Sequence, residues 1–140
     1  MGIYFFIGLV VVVFIFYTIV GNRDHKNKLK KLSESRPQIS KEEYIEYYSQ
    51  KGYRKEYIEE VYDHIENYIS YEWFSMHPED NLLEDYEIDH EDLEDILMEI
   101  LKKNKLKLPE KDTIERLSEK YAKNHSAEHL LEVIGVENGA

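Results

Sequence analysis

Hydrophobic residues follow two distinct patterns along the chain, and the first is an unbroken apolar run. From Ile3 to Val20, eighteen consecutive residues carry no charge, and only tyrosine and threonine contribute polar groups. A helix of that length, rising about 1.5 Å per residue, spans about 27 Å, close to the thickness of the hydrocarbon core of a bilayer. A helix in a soluble core is rarely apolar on all sides over such a length. The run therefore predicts a single membrane-spanning helix.

A cleaved signal peptide is the alternative explanation of this run. It requires a basic stretch before the apolar segment and a small-residue cleavage site after it, and neither is present. Six basic residues instead follow the run, from Arg23 to Arg36, together with only two acidic residues. Because positive charge retains a flanking segment on the cytoplasmic side, we expect an uncleaved anchor over residues 1–21 in the cell membrane, with the N-terminus outside and the remainder cytoplasmic.

The second pattern begins after the anchor, where apolar positions recur every three or four residues, as in helices that bury one side. Ser40 and Glu43 form a capping-box pattern, which predicts a helix over Lys41–Gln50 that ends at Gly52. A second helix is predicted over Arg54–Trp73. This part of the chain is therefore expected to be helical rather than extended.

Three further helices are predicted in the C-terminal half. Asp89 is a suitable N-cap for a third helix, with Asp92 at the third helical position. Pro109 is well placed to begin a fourth helix, and Ser126 to begin a fifth that ends at Gly135. No segment shows the sustained alternation of a strand, so the predicted fold class is all-α.

The charge divides the chain into regions of opposite sign. Residues 22–36 carry six basic and two acidic residues, hence +4, and the remaining twelve basic and 27 acidic residues give residues 37–140 a charge of −15. The basic stretch can attract anionic lipid headgroups, whereas the acidic remainder is repelled by nucleic acid phosphates. The predicted organisation is an anchor at 1–21, a basic juxtamembrane linker at 22–39, an acidic helical bundle at 40–135 and a tail at 136–140.

The motifs associated with catalysis and cofactor binding are absent from the sequence. The chain has no cysteine, its glycines are too far apart for a phosphate-binding loop, and no nucleophile motif occurs. Asp85, Glu87 and Asp89 fall at the first, third and fifth positions of a calcium loop, but His90 and Ile96 occupy the positions that need Gly and Glu. We therefore expect no enzyme, no bound metal and no cofactor.

A second possible metal constellation occurs near the C-terminus. His125, Glu128, His129 and Glu132 have spacings that could share one helical face. If Ser126 is the N-cap, however, His125 lies outside the helix and the set is divided, which is the stronger interpretation. The twelve tyrosines, many of them at helical spacing, are expected in the core and at its rim, because an aromatic platform for nucleic acid would need basic neighbours.

An acidic block occupies the middle of the domain. From Glu56 to Leu101 there are seventeen acidic residues and no Lys or Arg. A solvated helical face explains part of this charge, but intrahelical pairs are easily accommodated, and their absence predicts an uncompensated negative field. A basic protein partner is therefore expected. The candidate partner-binding residues are Asp85, Glu87, Asp89, Glu91, Glu94, Asp95 and Glu99.

The segment "LLEDYEIDHEDLEDILMEILKKNKLKLPEKD" resembles the central part of an acyl carrier protein. The resemblance implies a carrier-like core over about residues 53–122, and in that family the acidic helix docks on basic patches of partner enzymes. The family's phosphopantetheine serine aligns with His90, which cannot form the serine-linked phosphodiester, so no prosthetic group is implied. The positions that fall in the family's order are Leu82, Asp85, Asp89, Ile96 and Leu108–Glu110.

The expected function is that of a membrane-anchored, non-catalytic interaction module, which presents an acidic helix to a basic protein at the cytoplasmic face. Two alternatives remain open. The first is a carrier or accessory protein of lipid or secondary metabolism with an unrecognised attachment. The second is an immunity-type inhibitor of a basic protein, which shares the same electrostatics and which sequence cannot distinguish from the expected function.

Overall fold

The computed structural model describes residues 2–138, which contain six α-helices and no strand. Met1, Gly139 and Ala140, which belong to the predicted anchor and tail, lie outside the described residues. The all-α prediction is confirmed for the described part of the chain. The helices are α1 (Gly2–Glu34), α2 (Lys41–Gln50), α3 (Lys55–Ile69), α4 (His90–Lys103), α5 (Lys111–Lys120) and α6 (Ala127–Asn138).

The first of two compact units is Met1–Arg36, which contains α1. The helix is 33 residues long, and its apolar side chains from Ile3 to Val20 are all exposed. It is long and apolar enough to cross a membrane, a property that it shares with signal sequences. The helix does not end with the apolar run but continues through the basic residues to Glu34, so most of the predicted linker is helical.

The second unit is Pro37–Ala140, and its first helix begins and ends as its cap residues predict. The hydroxyl of Ser40 accepts the backbone N–H of Glu43, and the Glu43 carboxylate accepts the backbone N–H of Ser40. This capping box fixes the start of α2. Gly52, with φ of 98°, adopts the left-handed conformation that only glycine adopts without steric cost, and it stops the helix from continuing.

The third helix is shorter than its apolar pattern predicts. It ends at Ile69 rather than Trp73, because Ser70 adopts a left-handed conformation with φ of 60°. The Ser70 hydroxyl also donates to the carbonyl of Asn67, which satisfies an acceptor at the helix end. Beyond this point Tyr71 and Trp73 stack in a turn, with ring centroids 5.3 Å apart.

The last two helices differ from prediction at one end each. α5 begins at Lys111 with Glu110 as its N-cap, so Pro109 precedes the helix and does not open it. α6 passes through Gly135 and ends at Asn138, so the predicted stop at glycine is wrong. The Asn138 amide exchanges two hydrogen bonds with the backbone of Lys107, at 3.0 and 2.9 Å, and this contact stabilises the last turn.

The core of the second unit is built around α3, which packs against α2, α4 and α6. Ile58 and Ile65 on α3, Ile100 on α4 and Ile134 on α6 are all 0% exposed. Tyr44 and Tyr48 of α2 are also buried, so these two predicted core tyrosines lie where expected. α4 contributes its inner side to this core and leaves its outer side to solvent.

Candidate functional site

The start of α4 is determined by one of the predicted carboxylates. Asp89 is the N-cap, and its side chain accepts the backbone N–H of Asp92 at 2.8 Å. Glu91 and Asp92 in the first turn and Lys102 and Lys103 in the last complement the helix dipole. Asp89 therefore positions the helix, and its carboxylate is already engaged.

Three other predicted site residues also have structural roles or contacts within the fold. The Asp85 carboxylate accepts the backbone N–H of Asn81 at 2.8 Å. Glu87 has a left-handed backbone with φ of 57° in the turn before α4. Glu99 lies on the side of α4 that faces α3, where its carboxylate is 3.6 Å from Nε2 of His64. Each of these residues is thus engaged by a side-chain contact or a backbone turn next to α4.

The remaining three predicted residues, Glu91, Glu94 and Asp95, are exposed on the outer side of α4. None of their carboxylates makes a hydrogen bond or ion pair with another residue in the range 2–138. We call these three residues the α4 acidic surface. Their separations of three and four positions place them on adjacent turns of one side of the helix.

The rest of the acidic block is partly compensated, contrary to the expected uncompensated field. Lysines from outside the block reach it: Lys41 is 2.7 Å from Asp63, and Lys103 is 3.0 Å from Glu60. His64 lies between Glu60 and Glu99, with its Nδ1 at 2.7 Å from the Glu60 carbonyl oxygen. The two lysines compensate part of the charge on the α3 side of the block, whereas the α4 acidic surface has no counter-charge from the described residues.

An apolar groove runs alongside this surface, between α4, α5 and α6. It has a volume of about 290 Å³. Two of its aliphatic side chains are notably open to solvent, since Met98 is 44% and Leu108 46% exposed. Glu94 lies at its rim and therefore belongs both to the groove and to the α4 acidic surface. We call this feature the α4–α6 groove; its lining includes His90, Leu93, Leu97, Ile114, Leu130 and Val133.

Three histidines line one part of the groove. The rings of His90 and His125 have centroids 5.5 Å apart, and those of His125 and His129 5.7 Å apart. Burial lowers the pKa of His125 and His129 below the ordinary value, and the neighbouring imidazoles lower it further. The two rings are therefore neutral at neutral pH.

The four residues of the second possible metal constellation, His125, Glu128, His129 and Glu132, do not form a common site. Glu128 accepts hydrogen bonds from Lys51 and Tyr53, both at 3.0 Å, and Glu132 accepts one from Lys120 at 2.7 Å. His125 precedes α6 and faces the groove instead. Within residues 2–138, no group of three or more His, Asp or Glu side chains has an arrangement that could hold a metal ion.

A second and more polar cavity, of about 530 Å³, lies near α2 and α5. Tyr47, Tyr48 and Tyr121 line it together with Lys123 and with two lysines that form ion pairs, Lys51 and Lys120. Burial raises the pKa of Tyr48, whose hydroxyl donates to the carbonyl of Pro78. The phenols of this cavity are therefore protonated. The hydroxyls of Tyr47 and Tyr48 donate hydrogen bonds that stabilise the fold, and no tyrosine that lines the cavity is activated as a nucleophile.

Comparisons of the chain with protein-family models, with curated proteins and with solved structures give no match. No relative therefore indicates which residues are functional, and the candidate site rests on the geometry of the described residues. The groove itself has no signature in the sequence, because its three histidines come from the start of α4, the loop before α6 and α6 itself. Only the acidic charge of α4 could be recognised from the linear pattern.

Proposed function

We propose that the chain is a membrane-anchored, non-catalytic interaction module that docks a basic protein on the α4 acidic surface. The observation that carries the proposal is that Glu91, Glu94 and Asp95 have no partner among residues 2–138, in a domain where many other carboxylates form ion pairs. Complementary charges on a partner would accelerate encounter and fix its orientation. In the proposed topology α1 is the membrane anchor, and the basic residues that follow it support a cytoplasmic location for the acidic domain.

The resemblance to acyl carrier proteins supports the same role for α4. In that family the corresponding acidic helix is the recognition element, and here α4 carries the free carboxylates. His90 occupies the first residue of the helix, where the family has the modified serine. The proposed module thus keeps the docking helix of a carrier and lacks the attachment residue.

The proposal is tested by charge reversal in the tagged full-length protein, isolated from native membranes with its bound partner. We expect Glu94→Lys with Asp95→Lys to abolish retention of a basic protein that elutes from the unmodified bait at moderate salt. The matched control is Glu46→Lys with Glu72→Lys, which changes the net charge equally at two exposed positions outside α4. Circular dichroism should give the same helical signal for all three proteins.

Equal retention of the basic protein by the Glu94/Asp95 variant would refute docking on this surface. The intact mass of the bait, measured in the same preparation, addresses the carrier alternative. A covalently modified bait with an empty eluate would favour a carrier. An unmodified bait with an empty eluate would mean that the acidic surface is only a solvated helical face.

A further inference from the structure

The α4 acidic surface and the α4–α6 groove occupy adjacent sides of one helix. His90, Leu93, Glu94, Leu97 and Met98 line the groove, at the spacing of a single helical face. This face extends over about 12 Å, roughly two helical turns, at the usual rise per residue. The remaining acidic-surface residues, Glu91 and Asp95, lie on its solvent side. A partner segment that lies along α4 can therefore contact both the carboxylates and the apolar groove.

We propose that the bound element of the partner is a basic amphipathic helix. Its apolar side chains insert into the α4–α6 groove, and its Lys and Arg residues pair with Glu91, Glu94 and Asp95. This inference rests on the proposed function and specifies the structure and chemistry of the partner.

The size and exposure of the groove favour side-chain anchors over a complete small ligand. Its volume of about 290 Å³ lies just below the range of roughly 300–1,000 Å³ that is usual for small-molecule pockets. Met98 and Leu108 are nearly half exposed, so a partner that covers them removes apolar surface from water. Insertion of one or two aliphatic side chains fits both observations, and it is how amphipathic helices bind apolar grooves.

The arrangement of charge favours a helix over an extended segment. Strand addition requires the exposed edge of a sheet, and residues 2–138 contain no strand. Glu91, Glu94 and Asp95 repeat at three and four positions, so a helix that lies along α4 can match them with cations at the same period. The same partner helix presents its apolar residues at i, i+3, i+4 and i+7 toward the groove.

The histidine-lined part of the groove is compatible with this partner. His125 and His129 have lowered pKa values through burial, so neither ring repels a basic helix at neutral pH. Their neighbours from packed elements are His90 of α4 and the carboxylates Glu84 and Glu132. Within the groove, His125 and His129 are thus neutral, and the carboxylate of Glu94 lies at the rim.

The first test measures binding of a synthetic Leu/Lys peptide of about 18 residues, with Leu at amphipathic helical spacing, to the full-length protein in nanodiscs of zwitterionic lipid. A scrambled peptide of equal composition and empty nanodiscs are the controls. We expect Met98→Gln with Leu108→Gln to weaken binding of the amphipathic peptide about tenfold or more, through loss of apolar burial. Both positions are exposed enough for the fold to tolerate the change.

The outcomes separate this inference from the proposed function. If Glu94→Lys with Asp95→Lys abolishes peptide binding but the Gln variant binds as tightly as the unmodified protein, docking is purely electrostatic, and the groove plays no part. That result would overturn the inference and leave the proposed function intact. If both variants bind normally, both proposals fail. Equal affinity for the amphipathic and scrambled peptides would also overturn the helical partner.

The absence of cysteine from the chain allows a second, positional test. Met98→Cys provides a single thiol in the groove, and the peptide carries one cysteine either on its apolar stripe or on its basic side. We expect disulfide formation several-fold faster with the apolar-stripe cysteine, and no such preference for the control Glu46→Cys. Equal rates at Met98→Cys would contradict insertion. Preferential disulfides between two Met98→Cys chains would assign the groove to a second copy of the protein.

Discussion

Helices α3 and α4 carry the same number of carboxylates, yet the structure uses them differently. Each helix has five. Within the described residues, four of those on α3 form ion pairs, with Arg54, Lys55, Lys41 and Lys103. Three of those on α4 make neither an ion pair nor a hydrogen bond with any residue from 2 to 138. Acidic composition alone therefore does not identify a binding surface, because cations at the start of α3 and on α2 and α4 pair with the carboxylates of one helix and leave three on the other free of a described partner.

The buried and the exposed side of α4 provide the largest expected difference in stability. Ile100 is 0% exposed, so Ile100→Ala should lower the free energy of unfolding by about 2–5 kcal/mol, through lost burial and the cavity that remains. Met98→Ala, on the exposed side of the same helix, should change it by about 0.5 kcal/mol or less. Urea unfolding followed by circular dichroism measures both. A comparable loss in the two variants would mean that the groove side of α4 is part of the packed core.

Local chemistry explains which parts of this architecture could be predicted from the sequence. The starts of α2 and α4 depend on cap residues next to them, Ser40 with Glu43 and Asp89 with Asp92, so both were predictable. The last described turn of α6 runs past Gly135, and its Asn138 amide contacts Lys107, which is far away in the sequence. No local pattern encodes such a contact.

Contacts between residues that are distant in the sequence also limit what could be predicted about the candidate site. The sequence identified all seven carboxylates but could not separate the free ones from those that cap a helix or pair with a cation. Lys103 follows the acidic block in sequence and still reaches back to Glu60 on α3. The α4–α6 groove was not predicted, because it requires three helices to be assembled before its lining residues meet.

The paired and unpaired carboxylates themselves provide a smaller expected effect. Glu60 is only 20% exposed in its side chain and contacts both Lys103 and His64, so Glu60→Gln should lower the free energy of unfolding by about 1 kcal/mol. Glu94→Gln removes a carboxylate that has no partner among residues 2–138, so we expect stability to be unchanged or slightly higher. Chemical denaturation at low and high salt measures the difference, which should shrink as salt screens the pair. Equal losses in the two variants would contradict the distinction between α3 and α4.

The histidines on either side of α4 provide the smallest expected effect. His64 lies between carboxylates on the α3 side, whereas His129 lies on the groove side, where burial and then His125 lower its pKa despite the opposing charge of Glu132. Near pH 6 the unfolded chain therefore binds more protons at His129 than the folded chain does. The stabilisation is fully present above the unfolded pKa of about 6.5 and is lost as pH falls below it.

We accordingly expect the free energy of unfolding to decrease from pH 7.5 to pH 5.5 in the unmodified protein, and to decrease less in His129→Gln. Paired denaturation curves at the two pH values measure this slope. Because most carboxylates titrate near pH 4, they contribute little across this interval. An unchanged slope in His129→Gln would show that the ring is as well solvated in the folded protein as in the unfolded chain. The groove would then be wetter at its histidine-lined part than its apolar neighbours imply, and an apolar anchor from a partner helix would gain less by entering it.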